Sequence, residues 1–292
     1  MAIPQPLAEF ICAEHHWQAL PKKILLLGRQ TMPFNEESLR QLGKKWGLEP
    51  IDVQSDNYTT SAINNTDDSF VTDECFFRML GVNEIHALDH SDFEGADIIA
   101  DICKPLPEEL EGQFEFIFNG STLDNVFDTA MAIKNIGRLL KPGGRVIHIE
   151  TATTTRFSYN AISPSWFFDY YAVNGWSDCK IYMGAAGDFS RLISEPWAML
   201  AFNPAYSRKP NAFTCDLGNQ LGVQVILAQK GFESSSDKIP IQAHYRGEKD
   251  WAAIFSSAEK FLHSPRPLYL GSGGTGEAVE GFDGAWISAG WW

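Results

Sequence analysis

Four stretches of this 292-residue sequence place small, acidic or amide side chains directly after runs of apolar ones. Gly28, Arg29 and Gln30 follow "KKILLL", Asp89 and His90 follow "EIHAL", and Asp101 and Ile102 follow "GADIIA". Asn119 and Gly120, with Asp124 a few residues on, follow "FEFIF". A carboxylate accepts paired, charge-assisted hydrogen bonds, and a glycine lets a ligand approach the backbone closely. The loop after the first apolar run lacks the second and third glycines that bring a backbone up to a pyrophosphate, so it is not built like a dinucleotide site.

These positions acquire meaning from the elements around them. Residues 5–20 predict a leading helix that Pro21 ends, and "KILLL" reads as a strand covered on both faces. Residues 35–46 predict a helix capped by Asn35, and 73–81 another that stops at Gly81. The stretches 84–90, 95–102 and 114–120 read as strands. Asp128 to Leu140 is an amphipathic helix, after which "KPGG" turns the chain into a fifth strand, "RVIHIET". Strands alternating with helices predict a parallel sheet joined by right-handed crossovers, with ligands at the carboxyl ends of its strands. Residues 52–72 are polar and turn-rich within an insertion over 31–72. From residue 151 the sequence becomes aromatic, and 221–231 returns as a strand. The expected division is a leading helix over 1–21, a main domain over 22–235 with a substrate region over 151–220, and an extension over 236–292. The segment "GSGGTGE" in that extension reads as a flexible tail.

Composition narrows the partners. With 23 Lys+Arg against 37 Asp+Glu, a formal charge of −14 repels a phosphate backbone, and no basic cluster offsets it, so nucleic acid is not an expected partner. The five cysteines are too widely spaced for a zinc or redox motif and read as free thiols. No apolar run is long enough to cross a bilayer and the first residues do not resemble a secretion signal, which predicts a cytoplasmic protein without a membrane partner.

The succession "KILLLGRQ", "EIHALDH", "GADIIADICKPLP", "FEFIFNGSTLDNVFD" and "IGRLLKPGGRVIHIE" resembles the class I S-adenosylmethionine-dependent methyltransferases over roughly residues 22–247. More narrowly, "ISPSWFFDYYAVNGW" and "AQKGFESSSDKIPIQAHYR" are similar to methyltransferases of bacterial polysaccharide and metabolite clusters. The resemblance implies an α/β fold: a Rossmann-like methyltransferase sheet with helices on both faces and an aromatic-rich C-terminal substrate region. It implies S-adenosyl-L-methionine as cofactor and a small-molecule or glycan acceptor, methylated on oxygen, and it is compatible with a homodimer. By position, Asp89 would hold the ribose diol, with His90 beside it. Asp101 and Ile102 would meet adenine, Gly28 would allow close approach, and Arg29 and Gln30 would hold the methionine carboxylate. Asn119 and Gly120 would lie beside the methyl group.

An alcohol acceptor benefits from a base. The candidates are Asp124, His90, Tyr159 and Asp169, none with a decisive spacing, whereas His148 inside the fifth strand reads as structural. The pair Asp124–Asn125 follows the wrong strand for a metal-dependent site, so no catalytic metal is expected. Only Gly28 remains of the family's glycine-rich first loop, and Leu123–Asp124–Asn125 replaces its "LEH". These departures keep open an alternative, a catalytically inactive methyltransferase-like binding or assembly module.

Overall fold

The apolar run after Pro21 forms β1 (Lys23–Leu27) at the middle of the parallel part of a nine-stranded sheet. The computed structural model describes residues 2–33, 35–48, 70–92, 94–152, 158–186, 195–209, 212–215, 217, 220–242 and 245–292. On one side β1 pairs in parallel with β2 (Glu84–Asp89), and β2 with β3 (Ile98–Ile99). On the other it pairs in parallel with β4 (Phe114–Gly120), and β4 with β5 (Leu140–Thr151). The sheet continues antiparallel through β8 (Leu221–Gln229), β6 (Asp178–Ala186), β7 (Ala198–Phe202) and β9 (Trp286–Trp291), giving the order β3-β2-β1-β4-β5-β8-β6-β7-β9.

Both faces are covered, which is why β1 is apolar at consecutive positions. Ile24 and Leu26 join one core with Leu7 and Phe10 of α1 (Gln5–Trp17), Leu39 of α2 (Glu36–Trp46) and Phe76 of α3 (Asp73–Met79). Leu25 and Leu27 join the opposite core with Ile133 of α4 (Thr129–Leu139), Phe167 of α5 (Pro164–Val173) and Phe261 of α6 (Glu248–Leu262). The predicted cap forms, with Asn35 accepting from Ser38 N at 3.0 Å; Asp128, read as the first residue of its helix, caps it instead by accepting from Met131 N at 2.9 Å. Gly81 takes a φ of 77° after α3.

A buried charge cluster fastens α1 to the sheet and to the end of the chain. Glu14 accepts from Arg145 of β5 at 2.7 Å, from Tyr269 at 2.6 Å and from Arg266 Nη2 at 3.2 Å. Arg266 also pairs with Asp178 of β6.

The structure corrects the sequence reading in three places. The strand expected over 95–102 shortens to Ile98–Ile99, where the Asp97 side chain rather than a backbone carbonyl takes the Ala87 N–H, at 2.7 Å; Asp101 therefore lies beyond the strand. "KPGG" does not end an element but bulges within β5, where Gly143 (φ 81°) donates to Lys230 O and the register against β4 shifts between Phe114 and Phe116. "GSGGTGE" is no loose tail: Ser272 bridges Trp291, and Gly274 packs against the backbone of Ala289 where a Cβ would collide. Of the polar stretch 52–72, residues up to 69 lie outside the described residues. Three cysteines are buried, and no disulfide forms among the described residues. No described helix is long and apolar enough to cross a membrane, and the described residues contain no cluster of three or more His, Cys, Asp or Glu able to hold a metal.

Candidate functional site

The strand order reverses between β1 and β4, and a sheet of this kind opens its crevice above the carboxyl ends of that pair. Leu27 and Asn119 are partners in register there. Gly28 leaves β1 with φ 70° and donates its N–H to Leu88 O at 2.9 Å, which brings the ends of β1 and β2 together. A Cβ on Gly28 would sit 3.3 Å from Asp89 Oδ2, so the missing side chain leaves room against that carboxylate. The Asp89 side chain is 36% exposed, and its Oδ1 accepts from His90 N at 2.6 Å. His90 stands almost fully in solvent, its ring 3.6 Å from Asp89.

Gln30 is held from both ends. Its backbone N–H donates to Asp73 at 2.7 Å, and its side-chain amide folds back to donate to Gly28 O at 3.3 Å. The carboxamide lies where a side chain on residue 120 would be, so Gly120 is small in order to seat it. Gln30 Oε1 is left buried without a partner, an acceptor that a bound donor would satisfy. Arg29 is committed elsewhere, paired with Asp73 and, at 2.6 Å, with Glu74 at the start of α3.

Beneath the crevice lies a buried polar network that the sequence reading did not assemble. Asn119 donates to Glu150 Oε1 at 2.6 Å and lies 2.8 Å from His148 Nδ1. With Nδ1 accepting, His148 carries its proton on Nε2 and donates it to the Tyr171 hydroxyl at 2.5 Å. Burial lowers the His148 pKa to about 3 and keeps the ring neutral, consistent with the structural role read from the sequence. Glu150 Oε2 accepts from Asp124 N at 3.0 Å. Asp124 itself is fully buried and accepts from Ser121 Oγ (2.7 Å), Asn125 Nδ2 (2.8 Å) and Thr151 N (3.0 Å). Ser121 takes φ 64°, an uncommon conformation for a non-glycine residue, on the turn that carries this carboxyl. Burial raises both carboxyl pKa values, and the neighbouring Asp124 charge raises that of Glu150 further.

Because Glu150 keeps its proton in the folded chain to a pH at which the unfolded chain, with a pKa near ~4.3, has lost it, the pair makes stability fall as pH rises above that value. Glu150→Gln mimics the protonated acid and removes this contribution. Urea unfolding from about pH 5 to about pH 8 should give a stability difference between the wild type and Glu150→Gln that changes by up to ~1.4 kcal/mol per pH unit. A constant difference would refute a proton held at Glu150.

The remaining candidates scatter. Asp101 is exposed, accepts from Cys103 N at 3.0 Å and pairs with Lys104 at 3.1 Å; these contacts, led by the Cys103 hydrogen bond, lower its pKa. Ile102 beside it is buried. Tyr159 is exposed, but its backbone N–H donates to Asp124 O at 2.7 Å, which places it at the β4 turn. Asp169 does not join the strand ends: it is buried in α5 and paired with Arg246. The structure thus gathers Gly28, Gln30, Asp89, Asn119, Gly120 and Asp124 around one crevice, with His90 and Tyr159 at its edge. Glu150, the residue missed, lies one residue before the end of β5, close enough to a strand end for the same rule to have pointed to it.

A parallel sheet reversing at β1/β4, closed by antiparallel strands and covered by helices on both faces, is the Rossmann-like methyltransferase fold, and the chain is in the class of S-adenosylmethionine-dependent methyltransferase enzymes. Residues 43–176 match the model of the ubiE/COQ5 methyltransferase family. Among curated proteins none matches the chain. Solved structures similar to it include a Thermotoga maritima SAM-dependent methyltransferase described as a possible histamine N-methyltransferase, 15% identical, covering 77% of this chain and 92% of that one with a TM-score of 0.40. Another is an Archaeoglobus fulgidus SAM-dependent methyltransferase (10% identity, 76% and 94% covered, TM-score 0.38). A third is Haemonchus contortus phosphoethanolamine N-methyltransferase 2 (11% identity, 78% and 53% covered, TM-score 0.39).

Proposed function

We propose that the chain methylates a hydroxyl of a sugar, a glycan precursor or another small metabolite, in the cytoplasm, with S-adenosylmethionine held in the β1/β4 crevice. The residues present fit that cofactor: a side-chain-free Gly28 beside the Asp89 carboxylate, and a buried acceptor on Gln30 that lacks a donor. Asp89 would take the ribose diol, Gln30 Oε1 the ammonium of the methionine arm, and Asp101 with Ile102 the adenine edge. The cofactor supplies a methyl group made electrophilic by a positive sulfur; the chain's contribution is to hold an acceptor oxygen in line with it and keep water out.

The observation that carries the acceptor reading is an exposed aromatic pair at the crevice edge. Phe127 is 83% and Tyr159 64% exposed, their rings 5.9 Å apart, on two segments that meet at Asp124 O. Two large rings kept in water beside a crevice offer a stacking surface to a sugar face or an aromatic acceptor. Among the candidate bases His90 presents an imidazole to solvent at the crevice edge, the side-chain type most often used as a general base.

Methyl release with a panel of hydroxylated acceptors, alongside S-adenosylhomocysteine calorimetry, tests this. Tyr159→Ala should raise the acceptor KM about two- to tenfold and leave kcat within about twofold; an unchanged KM would remove the aromatic pair from the acceptor site. The burial of Asp124 favours the second reading, a methyltransferase-like binding module. That reading requires S-adenosylhomocysteine binding without turnover of any acceptor.

A further inference from the structure

A cavity of about 270 Å³ opens away from the crevice, between Ala130 and Ile133 of α4, Trp166 and Asp169 of α5, and the segment that carries Lys238 and Ile239. None of the crevice residues lines it. Its wall is mainly apolar, yet Asp169, only 4% exposed, lines it with a carboxylate whose Oδ1 has no hydrogen-bond partner. The other oxygen is engaged by Arg246, whose guanidinium also lies over the Trp251 ring, 4.8 Å from its centroid. The ion pair fixes the carboxylate and cancels its net charge, while leaving one acceptor unmet. A buried acceptor without a donor costs free energy that a bound hydroxyl or N–H would recover. Lys134 and Lys238 also line the cavity, so with the Asp169–Arg246 pair neutral the local charge favours an anion over a cation.

We propose that this cavity is a second small-molecule site, separate from the cofactor crevice, for a flat apolar body bearing one hydroxyl or N–H donor and one anionic group. The donor meets Asp169 Oδ1, the body lies along Ile133 and Trp166, and the anion sits between the two lysines. The site stands independently of the function proposed above.

The probe is 4-hydroxybenzoate, with benzoate as the analogue lacking the donor, titrated against the full chain by ligand-observed NMR. A ligand of this size should bind with Kd about 1 mM, and benzoate about tenfold or more weakly because it leaves the carboxylate unmet. Asp169→Asn is the direct variant, but it strands Arg246 and could unfold the chain. Ala130→Phe, at an exposed position on the cavity rim, fills the opening instead. It should abolish 4-hydroxybenzoate binding while S-adenosylhomocysteine calorimetry stays as in the wild type. No saturable binding by the wild type, equal affinity for both benzoates, binding retained by Ala130→Phe, or loss of both ligands in that variant would each overturn the proposal. A chain that ignores S-adenosylhomocysteine yet discriminates the benzoates would support this site and refute only the cofactor reading.

Discussion

Glu14→Ala is expected to destabilise the protein by about 3–5 kcal/mol, the cost of stranding buried charge. Glu14 is fully buried, and the side chains of Arg145 and Arg266 are 3% and 1% exposed. In the wild type two carboxylates, Glu14 and Asp178, face these two guanidiniums, and Asp178 also lies 3.5 Å from the Lys180 ammonium. After the substitution Arg266 keeps Asp178, but Arg145 keeps only the carbonyls of Gln18 and Ala19, at 3.0 and 2.9 Å. Neutral acceptors do not compensate a cation taken out of water. The Tyr269 hydroxyl loses its acceptor as well. The control is Glu115→Ala: its pair with Lys141 is 3.0 Å long, but the side chains are 57% and 46% exposed, and the loss should stay within about 0.5 kcal/mol. Urea unfolding of both variants checks the contrast, and equal small losses would show that the buried cluster does not hold α1 to the sheet.

That cluster also shows where sequence reading stops. Glu14 and Arg145 are 131 residues apart, and Glu14 and Arg266 are 252 apart. No local periodicity marks an Arg inside β5 as the partner of a Glu on a helix that reads as amphipathic by itself. Arg246 and Asp169 pose the same problem, and the result was a carboxylate read as a candidate base that is in fact half of an ion pair.

Locally encoded features were legible. The unbroken apolar run of β1 announced a strand buried on both faces, and Gly81 takes the positive φ that its place after a helix suggested. Asn35 caps the helix it precedes. The rule that ligands gather at strand ends selected most of the crevice because the parallel strands end there in register. Asp101 lies two residues past the end of the shortened β3, where the Asp97 side chain takes the Ala87 N–H, and in the C-terminal segment glycine content was read as looseness. Those glycines instead allow close backbone packing on β9, with a Cβ at Gly271 or Gly274 meeting backbone of the opposing strand.

Asp89→Ala should weaken S-adenosylhomocysteine binding by about 1.5–3 kcal/mol, roughly a 10- to 150-fold rise in Kd. The size follows from a carboxylate accepting two ribose hydroxyls, each hydrogen bond charge-assisted. Asp89 is suited to the test because the fold asks little of it. Its side chain is partly in solvent and accepts from the adjacent His90 N–H, so the variant should unfold within about 0.5 kcal/mol of the wild type. Gly28→Ala reaches the same carboxylate from the other side: it places a methyl 3.3 Å from Asp89 Oδ2 and forces an L-residue to φ 70°, so it should weaken binding and cost stability together. Calorimetry on folded Asp89→Ala decides the assignment. Wild-type affinity would move the ribose elsewhere, whereas a 10-fold or greater loss with unchanged unfolding would locate it at the tip of β2, where a lone glycine is all the first loop requires because no pyrophosphate has to be cradled.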